Sequence, residues 1–311
     1  MKLIDILILT NIKGLGNTRI ANILNYCEAN NIQTLEELQK ADLSSRFSKS
    51  FIEKLESGFH NYTALHVNIS KDLQSYEDNN IKCLSIVDEK YPELLKNSTN
   101  PPVVLFYKGN IELLNTRCVA VIGIRENTSI GENITKKTVD FLVENDFTIV
   151  SGLANGIDEI AHKQALLHRN GKTIAILPSI DTIYPVVNKN LAQDILDRDG
   201  LLIAEQKPYS RFHPGHLVKR DRIQSGLSKG VFVIETTLNG GSMHATNDAI
   251  KLGRSVFTPD IYKLHVNYQN IQQVEGIKSL IDTNKSISYS NDTYEKIVNK
   301  LNQPLQKDSL W

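Results

Sequence analysis

The chain has 311 residues, of which 41% are apolar, enough for a buried core in one large domain or two to three smaller ones. Its 35 Lys and Arg residues balance its 35 Asp and Glu residues, so the formal net charge is zero. Proteins that coat nucleic acid nonspecifically carry a clear basic excess. Any positive site on this chain must therefore be local.

The cysteines indicate neither a metal site nor a disulfide framework. Cys27, Cys83 and Cys118 lie far apart, with no CxxC pair and no Cys/His cluster at metal spacing. The N-terminus carries an early acid at Asp5, no small-residue cleavage site follows it, and no apolar run is long enough for a bilayer span. We therefore expect a soluble cytoplasmic protein with reduced thiols.

Residues 1–70 are predicted to form a small helical domain of the helix-hairpin-helix or SAM-like type. Apolar residues recur at helical spacing on both sides of a Gly14-Leu15-Gly16 turn. In a helix-hairpin-helix the glycines permit a tight turn, and their N–H groups can face a DNA phosphate. A plain turn between two helices explains the same pattern, so both interpretations stay open.

Residues 71–116 are predicted to bridge this domain to a sheet. The segment 81–86 has strand character, a short helix covers 91–96, and a strand follows Pro101-Pro102 at 103–107.

From residue 117 onward, apolar runs of strand length alternate with helical segments. We predict strands at 118–122, 148–150, 173–177, 201–204, 231–234 and 255–257, and helices at 131–144, 157–168, 188–197, 219–227 and 242–252. This alternation predicts a Rossmann-like α/β domain over residues 117–285, with a doubly wound, mostly parallel sheet. Its ligand site is expected at the carboxyl ends of the strands. Residues 286–311 are expected to form a short tail, without a winged helix.

Three of the predicted strands end in loops of small residues. These loops contain Gly123-Ile124-Arg125, then Ser151-Gly152 with Gly156, and finally Gly240-Gly241-Ser242. Glycine lets a backbone approach an anion closely, and a helix N-terminus offers free N–H groups to it. Arg125 adds a charge with a bidentate fork for phosphate. The alternative is that the glycines only permit tight strand-to-helix turns, with Ser151 and Ser242 as helix caps.

A local basic run follows in the same domain. It contains Arg211, His213, His216, Lys219, Arg220 and Arg222, with the aromatic Phe212 inside it. Positive charge beside an aromatic ring suits a single nucleic-acid strand, through phosphate pairing and base stacking. A solvated loop and helix face explains the same composition.

Candidates for catalysis are few. Asp158 and His162 lie at i and i+4 on one predicted helix, where capping and packing account for them. Glu235 and His244 flank the last small-residue loop, where Glu235 can pair with His244 or bind a ribose. No nucleotide fingerprint and no recognisable catalytic triad is present. We therefore expect no catalytic residue, no cofactor and no metal.

The ordered motifs resemble the DprA/Smf family of bacterial DNA-processing proteins over about residues 91–260. They include Tyr91-Pro92, Gly109-Asn110, Gly123-Ile124-Arg125, Ser151-Gly152-Leu153-Ala154-Asn155-Gly156-Ile157-Asp158, Ile183-Tyr184-Pro185, Arg220-Asp221-Arg222 and Gly253-Arg254. The resemblance implies a Rossmann-like homodimer that binds and protects single-stranded DNA and loads the recombinase RecA during natural transformation. It also implies that the groove is lined or supported by Gly123, Arg125, Ser151, Gly152, Gly156, Arg220, Arg222 and Ser242.

The chain departs from the family pattern at four places. Ile124 replaces the usual serine, Leu217-Val218 replaces a Phe-Pro pair, Asp221 replaces the usual asparagine between two arginines, and Gly240 replaces a serine. An acid near a phosphate is repulsive, so either Asp221 faces away or the ligand lies differently. The Gly-Gly loop keeps a second hypothesis open, a nucleotide-binding or nucleotide-cleaving enzyme of the same superfamily, in defence or signalling.

Overall fold

Five helices form the N-terminal part of the chain in the computed structural model, which describes residues 1–303. They are α1 (Leu3–Asn11), α2 (Asn17–Ala29), α3 (Leu35–Lys40), α4 (Lys49–Phe59) and α5 (Tyr62–Asp78). Fully buried side chains such as Ile6, Leu38 and Leu55 hold them together. Helix α5 continues past the predicted boundary at residue 70, because its Tyr76 is buried edge-on against Phe106 of the sheet, with ring centroids 5.6 Å apart.

A nine-stranded sheet forms the rest of the core, in the order β1-β2-β6-β5-β4-β3-β7-β8-β9. Its strands are β1 (Lys82–Ser85), β2 (Val104–Gly109), β3 (Cys118–Ile122), β4 (Thr148–Ser151), β5 (Thr173–Leu177), β6 (Leu201–Ala204), β7 (Gly230–Val233), β8 (Ser255–Pro259) and β9 (Ile287–Tyr289). Strands β3 to β9 pair in parallel, and β2 joins β6 antiparallel with β1 outside it. The predicted Rossmann-like, mostly parallel sheet is therefore confirmed.

Helices cover both faces of this sheet. They are α6 (Glu93–Lys96), α7 (Ser129–Glu144), α8 (Ile157–Leu167), α9 (Lys189–Asp197), α10 (Gly215–Leu227), α11 (Ser242–Lys251), α12 (Val266–Gln269), α13 (Glu275–Asp282) and α14 (Tyr294–Asn302). Alternate residues of β3 enter different cores, since Val119 and Val121 belong to one hydrophobic cluster and Ala120 and Ile122 to the other. Both faces are thus buried, which explains why the strands have continuous apolar sequences.

The sheet extends beyond the segment from which it was predicted. Strands β1 and β2 belong to the predicted bridge, and β9 to the predicted tail. Helix α14 buries Ile297 and Leu301 in the same cluster as Phe232. Residues 304–311 of the predicted tail lie outside the described range.

The strand order reverses at β3, which has β4 on one side and β7 on the other. In open α/β sheets the crevice at such a switch point, beyond the carboxyl ends of the strands, is the usual ligand site. The three small-residue loops follow β3, β4 and β7. No helix within residues 1–303 has the length and apolar character needed to cross a membrane.

Gly109 is a position where the fold requires glycine. Its φ is +97°, and a Cβ there would lie 2.2 Å from the carbonyl oxygen of Gly200. We expect Gly109→Ala to lower the free energy of unfolding by about 2 kcal/mol or more, because both the conformation and the space are unavailable to alanine. Urea denaturation measures this change.

Gly241→Ala is the matched control for that measurement. Gly241 has a helical φ of −55°, and nothing lies within 4 Å of an added Cβ. The free energy of unfolding of Gly241→Ala is expected to stay within about 0.5 kcal/mol of the wild-type value. Equal stabilities of the two variants would contradict the assignment of strain to Gly109.

Candidate nucleic-acid interface

A groove of about 420 Å³ lies at the carboxyl ends of β3 and β7. We call it the strand-end groove. It is lined by the loop after β3, the loop before α11 and one side of α10, including Gly123, Ile124, Arg125, Leu217, Val218, Arg220, Asp221, Gly240, Gly241 and Ser242. The loop after β4 adds Ala154 and Asp158, so all three predicted loops contribute to one surface.

The loop after β3 rests on the start of α8. Gly156 has a φ of +79°, and a Cβ there would lie 2.4 Å from the carbonyl oxygen of Arg125. The N–H of Ile157 donates to the carbonyl oxygen of Ile124 at 3.2 Å. Gly156 thus supports the loop after β3 and does not line the groove. Only glycine lets the backbone before α8 approach this loop closely enough to hold it in place.

Arg125 is the cation of this loop, and it precedes the exposed Glu126. It is exposed, and its guanidinium makes no hydrogen bond or ion pair with any group in residues 1–303. A planar guanidinium in this state can bind a phosphate with two parallel hydrogen bonds and needs to break no internal contact.

The loop before α11 presents a helix N-terminus to the groove. The Ser242 hydroxyl donates to Thr236 Oγ1 at 2.7 Å, and a Cβ on Gly240 would lie 2.7 Å from the same oxygen. Within residues 1–303 no side chain caps α11, whose N-cap position is Gly241. The N–H groups of the two residues after Ser242 donate to the carbonyl oxygens of Gly240 and Gly241, so the N–H of Ser242 is the first-turn donor left for an anion.

The loop after β4 reaches the groove at Ala154 and Asp158, but its first two residues are buried below the surface. Ser151 is buried, and its hydroxyl donates to the carbonyl oxygen of Val121 at 2.7 Å. Gly152 lies under Arg220, since a Cβ on Gly152 would be 1.3 Å from Nη1 of that arginine. The structure thus places Ser151 and Gly152 in supporting positions, where the sequence suggested a lining role as well.

Arg220 is buried in the wall of the groove with two carboxylates. Its Nε lies 3.2 Å from Asp221 Oδ1, and its Nη2 lies 3.7 Å from Asp158 Oδ2. Its Nη1 has no hydrogen-bond partner within residues 1–303. Burial raises the pKa of Asp221 to about 6, although the positive charge of Arg220 opposes this shift. Asp221 lines the groove and does not face away from it.

Asp158 and His162 belong to the same buried layer. Asp158 accepts a hydrogen bond from the N–H of Gly152 at 3.2 Å, and burial raises its pKa. His162 Nδ1 lies 2.7 Å from Thr173 Oγ1, and burial lowers the pKa of His162 to about 3, so its ring is neutral. Within the described residues, no group of three or more His, Cys, Asp or Glu side chains is placed to hold a metal.

Arg222 lies in a different cleft, between the N-terminal helices and the sheet. Its Nη2 donates to Glu205 at 2.5 Å, and its Nε donates to the carbonyl oxygen of Asn100 at 3.0 Å. Glu205 also accepts from Asn17 Nδ2 at 2.6 Å, directly after the Gly14-Leu15-Gly16 turn. Arg222 therefore does not line the strand-end groove, and Lys219 lines this second cleft with it. Sequence reasoning missed Glu205 and Asn17.

Glu235 and His244 do not form the pair that the sequence suggested. Glu235 is fully buried and accepts hydrogen bonds from the N–H and hydroxyl of Thr128, at 2.9 and 2.6 Å, and from Tyr268 at 2.9 Å. It therefore anchors the start of α7 and has no free oxygen facing a ribose. His244 is exposed on α11 and is not among the residues that line the groove.

Phe212 belongs to an exposed aromatic cluster. Its ring centroid lies 5.3 Å from that of Tyr184 and 6.2 Å from that of His216. Tyr184 and Phe212 are 40% and 45% exposed, so their faces are accessible to a flat ligand such as a base. The sequence offered Tyr184 only as part of a family motif and did not indicate its contact with Phe212, because 28 positions separate the two residues.

Comparisons with known proteins agree with this architecture. The family model described as DNA recombination-mediator protein A matches residues 82–302. DNA processing protein DprA of Streptococcus pneumoniae is 37% identical over 246 residues, which cover 78% of this chain and 82% of that protein. Protein Smf of Borreliella burgdorferi is 28% identical over 289 residues, which cover 89% of this chain and 88% of that protein.

Two solved structures are also similar. The X-ray structure of DprA from Streptococcus pneumoniae has a TM-score of 0.76 and 33% identity, and covers 95% of this chain and 98% of that one. A structure of DNA processing protein A from Helicobacter pylori, described by its single-stranded DNA binding mode, has a TM-score of 0.59 and 28% identity, and covers 71% of this chain and 95% of that one. This chain therefore belongs to the DNA recombination-mediator protein A family, whose members are named DprA or Smf.

Proposed function

We propose that this chain binds the phosphate backbone of single-stranded DNA in the strand-end groove, without a chemical step. The observation that carries the proposal is the unpaired guanidinium of Arg125 beside the uncapped N-terminus of α11. Both groups favour an anion, and both lie at the topological switch point of the sheet. The rest of the groove wall combines backbone and apolar side chains, such as those of Leu217 and Val218, with the carboxylates of Glu126, Asp158 and Asp221.

Selectivity for single strands is supported by the exposed aromatic rings. Tyr184 and Phe212 stand free to stack with unpaired bases, whose faces a duplex conceals. The related Helicobacter pylori protein is described as binding single-stranded DNA, which supports the same ligand here.

The wider role rests on family membership. We infer that the chain protects incoming single strands, loads RecA onto them during natural transformation and acts as a homodimer. A cytoplasmic location follows from these partners. Of the residues first considered for a nucleotide-cleaving enzyme, Glu235 is held by Thr128 and Tyr268 and His244 does not line the groove. This arrangement favours binding over hydrolysis.

Replacing Arg125 tests the proposed site. Arg125→Ala is expected to weaken binding of fluorescent oligo-dT roughly tenfold at low salt and to reduce the salt slope by about 0.7, since one phosphate contact is lost. Fluorescence anisotropy at several salt concentrations measures both values. Arg169→Ala removes an exposed arginine outside the groove and should change neither.

An oligo-dT affinity that is unchanged in Arg125→Ala would refute the proposed site. Stabilisation of the wild type by a mononucleotide, with no affinity for oligo-dT, would support the enzymatic hypothesis in its place.

Asp221 makes the proposed binding depend on pH. Its pKa is raised to about 6, so it is charged at pH 8 and repels phosphate, and it becomes neutral as the pH falls below 6. Wild-type affinity for oligo-dT should therefore rise on acidification, whereas Asp221→Asn should bind roughly fivefold more tightly than wild type at pH 8 and lose most of that advantage at pH 5.

The free energy of unfolding should also increase on acidification. The native state binds a proton at Asp221 more tightly than the unfolded state does, so the stabilisation that comes from this protonation is lost as the pH rises through about 6. Wild type is thus expected to lose stability relative to Asp221→Asn between pH 5 and pH 8. Asp292→Asn, which removes an exposed carboxylate, is the control. Parallel pH profiles of wild type and Asp221→Asn would refute this account.

A further inference from the structure

A second concentration of positive charge lies on the N-terminal helices. Arg19, Arg46 and Lys54 line one depression of about 190 Å³, which we call the basic depression. Its other lining residues are Asn22, Phe47, Ser48, Ser50 and Phe51, so no carboxylate within residues 1–303 lines it. In a chain of zero net charge, three cations around so small a volume are a marked local excess.

The Gly14-Leu15-Gly16 turn brings two of these cations together. Gly14 has a φ of +88°, and its carbonyl oxygen accepts a hydrogen bond from Arg19 Nη1 at 2.6 Å. The aliphatic part of Lys54 passes over the same glycine, with Cδ 3.7 Å from the position of a Cβ. The hairpin thus places Arg19 of α2 beside Lys54 of α4.

The floor of the basic depression is rigid and apolar. The rings of Phe47 and Phe51 are stacked, with centroids 4.8 Å apart and an interplanar angle of 18°. Tyr26 packs edge-on against Phe47 at 5.6 Å. Helix α4 begins here after Ser48, without a side-chain cap, so hydroxyl and N–H donors adjoin the cations.

Two of these three charges have no partner within residues 1–303. Arg46 and Lys54 make no ion pair and no side-chain hydrogen bond within residues 1–303, and Arg19 bonds only to a backbone carbonyl. Cations held close together repel each other, and a bound anion removes that repulsion. Guanidinium and ammonium groups beside hydroxyl donors are the groups that bind phosphate oxygens in nucleic-acid complexes.

We propose that the basic depression binds a backbone phosphate of DNA, as a second contact outside the strand-end groove. The identity of the ligand as DNA rests on the proposed function. A strand long enough to reach both places gains affinity from the second contact, because its binding is then intramolecular. A strand that fills only the groove gains nothing.

The test uses the full chain and two lengths of fluorescent oligo-dT, about 10 and about 40 nucleotides. The double variant Arg46→Gln/Lys54→Gln removes two exposed cations and spares Arg19, which shapes the hairpin. We expect its affinity for the long strand to fall roughly tenfold and its salt slope to fall by about 1.4, with the short strand unaffected. Thermal unfolding verifies that the variant is folded.

The matched control is Lys40→Gln/Lys71→Gln, which removes two exposed lysines that do not line the basic depression. It should bind both strands as the wild type does. Wild-type binding of the long strand by Arg46→Gln/Lys54→Gln, or an equal loss in the control, would overturn the proposal. Arg125→Ala distinguishes the two sites: if it has no effect while Arg46→Gln/Lys54→Gln weakens binding, the groove assignment fails and the second contact stands.

Discussion

The buried guanidinium of Arg220 is the constraint on which the strand-end groove depends. It lies directly on Gly152 and between Asp158 and Asp221, so it joins α10 to the end of β4 and the start of α8. A buried charge is tolerated only when carboxylates and hydrogen bonds compensate it, and removing one partner is costly. The wall of the groove is thus fixed by the ion pairs that it contains.

The ion pairs distinguish the arginines that hold the fold together from the arginine that is free to bind a ligand. Arg220 and Arg222 lie two residues apart on α10. Arg220 is held by carboxylates in the groove wall, and Arg222 is held by Glu205. Glu205 also binds Asn17, so the Arg222 contact links the N-terminal helices to the sheet. Arg125, by contrast, sits on a loop that Gly156 fixes through the backbone alone. Its charge stays free for a ligand.

The parallel sheet could be predicted from the sequence, because each of its buried strands is a continuous apolar run between two helical segments. It did not predict β9, which has three residues, one of them the 43% exposed Ile287. Arg125 and Gly240 were predictable from loops at strand ends. The fixed state of Arg222 was not, because its partners Asn100 and Glu205 are distant in the chain and meet it only through the fold. The sequence wrongly indicated that Glu235 could bind a ligand, because its hydrogen-bond partners Thr128 and Tyr268 are also distant in the chain.

We propose that DNA phosphates lie between Arg125 and the N-terminus of α11, and a crystal structure of this chain with oligo-dT would show whether they do. We expect a phosphate within hydrogen-bond distance, about 3 Å, of the Arg125 guanidinium and of the N–H of Ser242 at the start of α11. A strand bound elsewhere on the sheet domain, with Arg125 and the start of α11 facing solvent, would contradict it.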